Sequence, residues 1–365
     1  MKIIANIARI VVGVLFIISG FVKIVDPIGT AIKLDEYFVV FGDNFSPIFE
    51  LFIPHVVMLS VLITSLEIIL GVALLFLFQP KTTITLLFAQ IVFFTFLTLY
   101  SAVTGEVTDC GCFGDAMPLT PWQSFYKDLG LLLLVVVLYI YRKKFNSKFD
   151  NKIGVGITAF TTLVCLFFAK YNLDHLPVID FRPYKIGNNI LEKRQDGKPG
   201  VVHYKMKRDG EEKMFENYPT EGGWTYVGYE AVVEPELPSI NDFNLFDVDG
   251  NETTEEVLNG EQILLVSQKV DAVTEEQQTQ LAVLAKESQS KNVKIALLTG
   301  SGFEKGSKLL SKMSVDMPIY VIDEVVIKAM IRSNPGIMIL KDGIVKGKWH
   351  INDIPSLSEI ETEFK

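Results

Sequence analysis

The run Asp109-Cys110-Gly111-Cys112-Phe113-Gly114-Asp115 holds the strongest chemistry in this 365-residue chain. Two cysteines one residue apart can bond to each other only through a small, strained ring, and the glycine between them eases its closure. Strain makes a disulfide easier to reduce and so a stronger oxidant, which suits Cys110 and Cys112 to thiol–disulfide exchange. Asp109 and Asp115 act against this, because nearby carboxylates disfavour a thiolate. The alternative is a tight glycine-rich loop holding an inert local disulfide or two reduced thiols. The third cysteine, Cys165, lies alone in an apolar run, so the set of three forms neither a disulfide scaffold nor a four-ligand zinc site.

The elements that must position this loop are apolar. Mean hydropathy is +0.32, and five segments approach the roughly 20 residues needed to cross a bilayer. They run over Ile3 to Val25, Val56 to Phe78, Thr83 to Val103, Trp122 to Tyr141 and Ile153 to Ala169. Lys2, Arg9, Lys81, Arg142, Lys143, Lys144, Lys148 and Lys152 share one side if the N-terminus is cytoplasmic. Lys23 and Lys33, read as loop charges after the first helix, weaken that rule. In this orientation the Gly105 to Leu119 loop and everything after Lys170 face outward, which in a Gram-negative cell is the periplasm. The expected location is thus the inner membrane, with five transmembrane helices, a cytoplasmic N-terminus and a periplasmic C-terminal domain. Thr120-Pro121-Trp122-Gln123 is a capping box with proline at the first helical position, and it starts the fourth helix just after the cysteine loop.

Glu67 falls near the middle of the second span, where an ionisable group is costly and faces the bundle interior. Arg9 and Gln90 are its candidate partners. The three residues make either a polar cluster that fixes helix register or a site for a quinone or a proton.

Arg9 with Gly13 to Lys23 and Asp26-Pro27, then Leu66-Glu67-Ile68-Ile69-Leu70-Gly71, resemble the first two helices of the DoxX family and its MauE-like branch. Cys110-Gly111-Cys112-Phe113-Gly114 with the following Pro118 and Pro121-Trp122 resembles the MauE-like outward loop. The resemblance covers about the first 145 residues. It implies a four-helix core and a link to periplasmic disulfide chemistry, as in maturation of a quinoprotein dehydrogenase, with quinone as the cofactor that DoxX relatives bring to mind. The fifth helix and the tail resemble a fused branch that carries a periplasmic thioredoxin-like domain.

The second half is acidic. After Lys170 it carries 22 Lys and Arg against 32 Asp and Glu, while the part before is near neutral and the whole chain has a formal net charge of −9, which argues against nucleic-acid partners. Phe181 to Gly187 reads as an aromatic and basic collar at headgroup level. Val201 to Met206, Glu211 to Phe215 and Trp224 to Val233 read as strands of a small β module. From Pro238 onward strands and helices alternate, with strands over Phe243 to Val248, Ile263 to Ser267, Val293 to Thr299, Pro318 to Ile322, Ile337 to Leu340 and Ile344 to Trp349. This order resembles a thioredoxin-like fold over 238–365, with Pro335 at that fold's cis-proline position. Where a redox-active member carries Cys-x-x-Cys, this chain reads Gln268-Lys269-Val270-Asp271-Ala272, and no cysteine follows Cys165. His55, His203 and His350 read as polar surface or interface residues, and no Walker loop, GxGxxG or zinc-ligand cluster is present.

The expected organisation is a four-helix membrane domain over 1–145, a fifth helix and exit over 146–175, a linker and β module over 176–237, and the thioredoxin-like domain over 238–365. Two functions compete. One is thiol–disulfide exchange at Cys110 and Cys112, coupled to a client held by the C-terminal domain. The other is a non-enzymatic membrane scaffold that binds periplasmic or inner-membrane proteins.

Overall fold

A computed structural model describes residues 2–107, 114–117, 119–147, 149–233 and 237–365. The chain forms two compact units, Met1–Arg182 and Pro183–Lys365.

The first unit is helical. Its helices are α1 (Lys2–Val25), α2 (Pro27–Asn44), α3 (Val56–Phe76), α4 (Pro80–Thr104), α5 (Pro121–Tyr141) and α6 (Asn151–Asp174). Among the described residues, five helical stretches are long and apolar enough to cross a membrane: Ile3–Val25, Pro47–Phe76, Pro80–Thr104, Pro121–Lys144 and Asn151–Asp174. The chain is a membrane protein.

Sequence reasoning missed α2. Its Lys33, Asp35, Glu36 and Asp43 keep it from reading as a span, but its start is well marked. The Gly29 amide donates to Asp26 Oδ1 at 2.9 Å, and Pro27 occupies the first helical position. A 3-10 stretch over Pro47–His55 leads into α3. The capping box that opens α5 forms as expected, with Thr120 and Gln123 bonding reciprocally.

α1 and α3 run antiparallel and nearly touch. A Cβ added at Gly71 would lie 2.8 Å from both the Gly13 carbonyl oxygen and Ile17 Cγ1, and one added at Gly20 would lie 2.7 Å from Ile68 Cγ1. Small residues at a membrane helix crossing allow such approach and the dense contact it brings. The buried aliphatic core of the bundle lies toward the N-terminal end of α1, where Val12 and Phe16 meet Leu74 of α3, Leu87 of α4 and Leu138 of α5.

The second unit begins with α7 (Ile190–Lys193). A three-stranded antiparallel sheet follows, β1 (Val201–Arg208), β2 (Glu211–Phe215) and β3 (Thr225–Val233), in the order β2-β1-β3. After α8 (Thr254–Leu258) come β4 (Glu261–Ser267), α9 (Glu275–Ser290), β5 (Ile295–Thr299), α10 (Phe303–Met313) and β6 (Ile319–Val321). Then come α11 (Glu324–Met330), β7 (Gly336–Lys341), β8 (Ile344–His350) and α12 (Leu357–Glu363). The sheet order is β6-β5-β4-β7-β8, with β4, β5 and β6 parallel and β7 and β8 antiparallel to their neighbours. Parallel strands joined by crossover helices, closed by an antiparallel hairpin and a last helix, make this unit thioredoxin-like. β4 sits at the centre and is buried along nearly its whole length, as its unbroken apolar run requires. Ile263 and Leu265 pack on one side against Leu281 of α9, Leu309 of α10 and Ile360 of α12.

Two expectations need correction. Phe243 to Val248 is not a strand: only Phe246 forms bridges, to Glu252 and Val321. The Asp247 carboxylate folds that stretch into a turn by accepting from the Asp249 and Asn251 amides at 2.9 and 2.8 Å. The segment from Pro183 is neither linker nor collar. The Gly187 amide donates to the Val345 carbonyl at 2.8 Å, the Val345 amide to the Asn188 carbonyl at 2.9 Å and the Ile190 amide to the Gly343 carbonyl at 2.8 Å. Tyr184 is buried, with its ring 5.9 Å from that of Phe243. These bonds pair the first residues of the outer edge of β8, which would otherwise offer unpaired backbone groups to other chains.

The α1–α3 crossing gives a first prediction. Gly71→Ala forces the two backbones apart and costs about 1–3 kcal/mol by overpacking. It lowers the unfolding temperature in detergent, whereas Gly130→Ala, with nothing within 4 Å of its new Cβ, leaves it unchanged.

Candidate functional site

The helix pairings bring the C-terminal half of α1, the N-terminal half of α3, the C-terminal half of α4 and the N-terminal half of α5 to one end of the bundle. The loop between α4 and α5 starts and finishes there. Cys110 and Cys112 lie outside the described residues, but both ends of their loop are fixed. Val107 is buried against Tyr37, Phe41 and Leu97, and its carbonyl accepts from Ser101 Oγ. On the far side, a Cβ at Gly114 would lie 3.9 Å from Val22 Cγ1, which places Gly114 beside the residue preceding Lys23.

Beneath this loop end the buried side chains turn polar. Lys23 Nζ donates to Glu67 Oε2 at 2.7 Å, and the two side chains are 6% and 4% exposed. The ammonium also stands 4.6 Å from the centre of the Phe94 ring, whose face attracts a cation. Across the bundle, Thr98 Oγ1 donates to Asp128 Oδ2 at 3.3 Å, and Lys127 Nζ lies 2.8 Å from Asp128 Oδ1. Thr64, Ser101 and Ser124 are buried at the same end.

The expected grouping of Glu67 with Arg9 and Gln90 is not what the structure holds. Arg9 lies 14 residues before Lys23 on α1, roughly 21 Å away at 1.5 Å per residue. Its Nη1 donates to the Leu74 and Leu75 carbonyls at 3.1 and 2.6 Å. These carbonyls belong to the last turn of α3, where the regular helix ladder ends and, of the two, the Leu74 carbonyl also accepts from the cap amide of Leu77 at 3.2 Å. Arg9 is thus a cap for α3. Gln90 comes closer: its Nε2 donates to the Ile63 carbonyl at 3.3 Å, one helical turn from Glu67, while its Oε1 is buried with no hydrogen-bond partner among the described residues. The partner that sequence reasoning missed is Lys23, taken for a loop charge. α1 continues to Val25 and α2 begins at Pro27, so there is no loop for Lys23 to occupy. The Asp26-Pro27 helix start was the available signal.

In the second unit, the turn after β4 stands where a redox-active thioredoxin would carry its cysteines, and it is closed by side chains. The Asn334–Pro335 peptide bond is cis. Asn334 Oδ1 accepts from Ser267 Oγ at 3.0 Å and from the Lys269 amide at 3.1 Å, while its Nδ2 donates to the Lys269 carbonyl at 3.0 Å. One amide side chain thereby satisfies both backbone groups of Lys269. Ser301 Oγ donates to the Gln268 carbonyl at 3.1 Å and accepts from the Val270 amide at 3.2 Å. Gln268 Nε2 donates to Glu324, a bond that holds the Glu324 carboxyl below its ordinary range. His350 accepts from the Asn352 amide through Nδ1 at 3.1 Å, a local turn contact.

Residues 1–141 match the family model of methylamine utilisation protein MauE. Over these residues the bundle is similar to the MauE membrane domain. The chain is also 32% identical over 163 residues to Protein TlpB of Flavobacterium psychrophilum, a match covering 44% of this chain and 42% of TlpB. It therefore spans less than half the length of that curated relative. Among solved structures, a secreted disulfide oxidoreductase from Mycobacterium tuberculosis is 14% identical and covers 34% of this chain and 94% of its own, with a TM-score of 0.27. A thioredoxin-like protein from Aeropyrum pernix is 16% identical and covers 33% and 87%, again with a TM-score of 0.27. The strand order, rather than these overlaps, makes the second unit thioredoxin-like.

The buried ion pair has a measurable consequence. Glu67→Ala leaves the Lys23 ammonium in the bundle without its counter-charge, a loss of about 3–5 kcal/mol. The unfolding temperature in detergent falls sharply. The double variant Lys23→Met/Glu67→Leu, which removes both charges and keeps the volume, recovers most of it.

Proposed function

We propose that this protein carries out thiol–disulfide chemistry at the membrane surface through Cys110 and Cys112, and that its thioredoxin-like unit holds the client rather than exchanging with it. The observation that carries this reading is the placement of both described ends of the cysteine loop, Val107 and Gly114, at the polar end of a bundle similar to MauE. The lysine and arginine distribution supports an inner-membrane location with the loop and the C-terminal unit on the periplasmic face. With Lys23 paired to Glu67 inside the bundle, one of the two loop charges that opposed this orientation is removed.

Exchange with a client dithiol leaves the loop reduced, and its reoxidation releases two electrons and two protons. A membrane quinone is the acceptor we propose, because it takes up two of each on becoming a quinol. The residues beneath the loop have the donor set such a ring needs. Lys23 can donate to a carbonyl oxygen, and Gln90 Oε1 is an acceptor that a quinol hydroxyl would satisfy.

The second unit supports a binding role. No cysteine follows Cys165, and Asn334 already occupies the backbone groups of the turn after β4. Without Cys110 and Cys112 the same architecture would be a scaffold for an envelope complex, with periplasmic or inner-membrane proteins as its partners.

Differential alkylation with mass spectrometry, in intact membranes whose quinone pool is first oxidised and then reduced, decides between the two. The cysteine pair is expected to shift from disulfide to dithiol with the pool. A pair locked in one state makes the loop structural and leaves the scaffold.

A further inference from the structure

The interior of the bundle is divided along its length. At the end away from the cysteine loop it is aliphatic, with Val12, Leu74, Leu87 and Leu138 all fully buried. At the loop end, each of the four helices α1, α3, α4 and α5 contributes buried polar groups, among them Lys23, Glu67, Gln90, Thr98 and Asp128.

The hydrogen-bonding capacity at that end exceeds the partners that the described residues supply. An ammonium has three N–H donors and a carboxylate about four acceptor positions, and among the described residues Glu67 bonds to Lys23 alone. Thr64 donates to the Ser60 carbonyl of its own helix, as hydroxyls in membrane helices do, which leaves its oxygen lone pairs to spare. Gln90 Oε1 is buried in a residue 8% exposed and has no partner among the described residues. Unmet capacity of this kind is costly in a low-dielectric interior and is met by internal water, three or so bonds per molecule.

We propose that the loop half of the bundle is a hydrated vestibule that gives Glu67 proton access from the loop face, and that the aliphatic half is a dry plug sealing it from the other face. This holds whether or not the cysteines exchange. Lys23 stands in the vestibule as the counter-charge of Glu67. The plug stops protons from crossing the membrane through the bundle.

The test uses the full chain in sealed vesicles sorted for orientation. A water-soluble carbodiimide with an amine nucleophile is added to one face at a time, and modified carboxyls are read by peptide mass spectrometry. Glu67 is expected to be modified from the loop face and not from the other, and Lys23→Met is expected to raise its modification several-fold. Modification of Glu67 from both faces, only by a lipid-soluble carbodiimide, or not at all overturns the proposal.

Single cysteines at Thr98 and Leu87, in a chain with the three native cysteines changed to serine, give a second reading. A charged thiol reagent is expected to react at least ten-fold faster with Thr98→Cys than with Leu87→Cys. Equal rates would mean that the two halves are not differently hydrated.

Discussion

An ammonium and a carboxylate in contact inside a bilayer must stay together, because either alone costs several kcal/mol of desolvation. Lys23 and Glu67 therefore lock α1 against α3 at one depth, and much else in the membrane unit follows. Gly13, Gly20 and Gly71 can tolerate near-contact of the backbones only in that register. α2 can begin directly at Pro27 because α1 ends beside α3, where Ser60 Oγ donates to the Pro27 carbonyl at 2.7 Å. α4 contributes Phe94 against the lysine and Thr98 toward α5. The pair thus joins the loop end of the bundle to its centre.

The C-terminal unit has a thioredoxin-like strand order without a cysteine in it. The features that support a thioredoxin active site are present: a central buried strand, a following turn and a cis-proline opposite it. The turn is then stitched shut by Asn334, Ser301 and Gln268, side chains that do for its backbone what an incoming strand would do. A rigid turn with no thiol suits a surface that must keep its shape while something else is bound, and fold alone says nothing further about function.

Much of this was legible in the sequence. Apolar run lengths gave the five spans, and the Thr120 and Gln123 spacing gave the start of α5, because bilayer thickness and helix capping act locally. Strand and helix order gave the second unit, since a parallel sheet leaves its buried strands as plain apolar runs. What escaped was decided across the chain. Lys23 lies 44 residues from Glu67, and nothing local says that a lysine near a helix end turns inward. Arg9 has the right charge to pair with Glu67 but lies at another depth along α1, against the Leu74 and Leu75 carbonyls. α2 was hidden because its mixed charges resemble a loop. Tyr184 resembled an interfacial aromatic, and only the finished sheet shows it as core.

The cover over the edge of β8 bears on how the second unit is made. Asn189 pairs with Ile344, and a ribosome adding about 5–20 residues per second takes on the order of ten seconds or more to travel between them. The covering strip therefore exists before the strand it covers. When β8 emerges, its exposed side meets a waiting partner from the same chain, so the interval in which a bare strand could pair with a neighbouring copy is short. The first residues of the second unit are thus already made when the strand whose edge they pair leaves the ribosome.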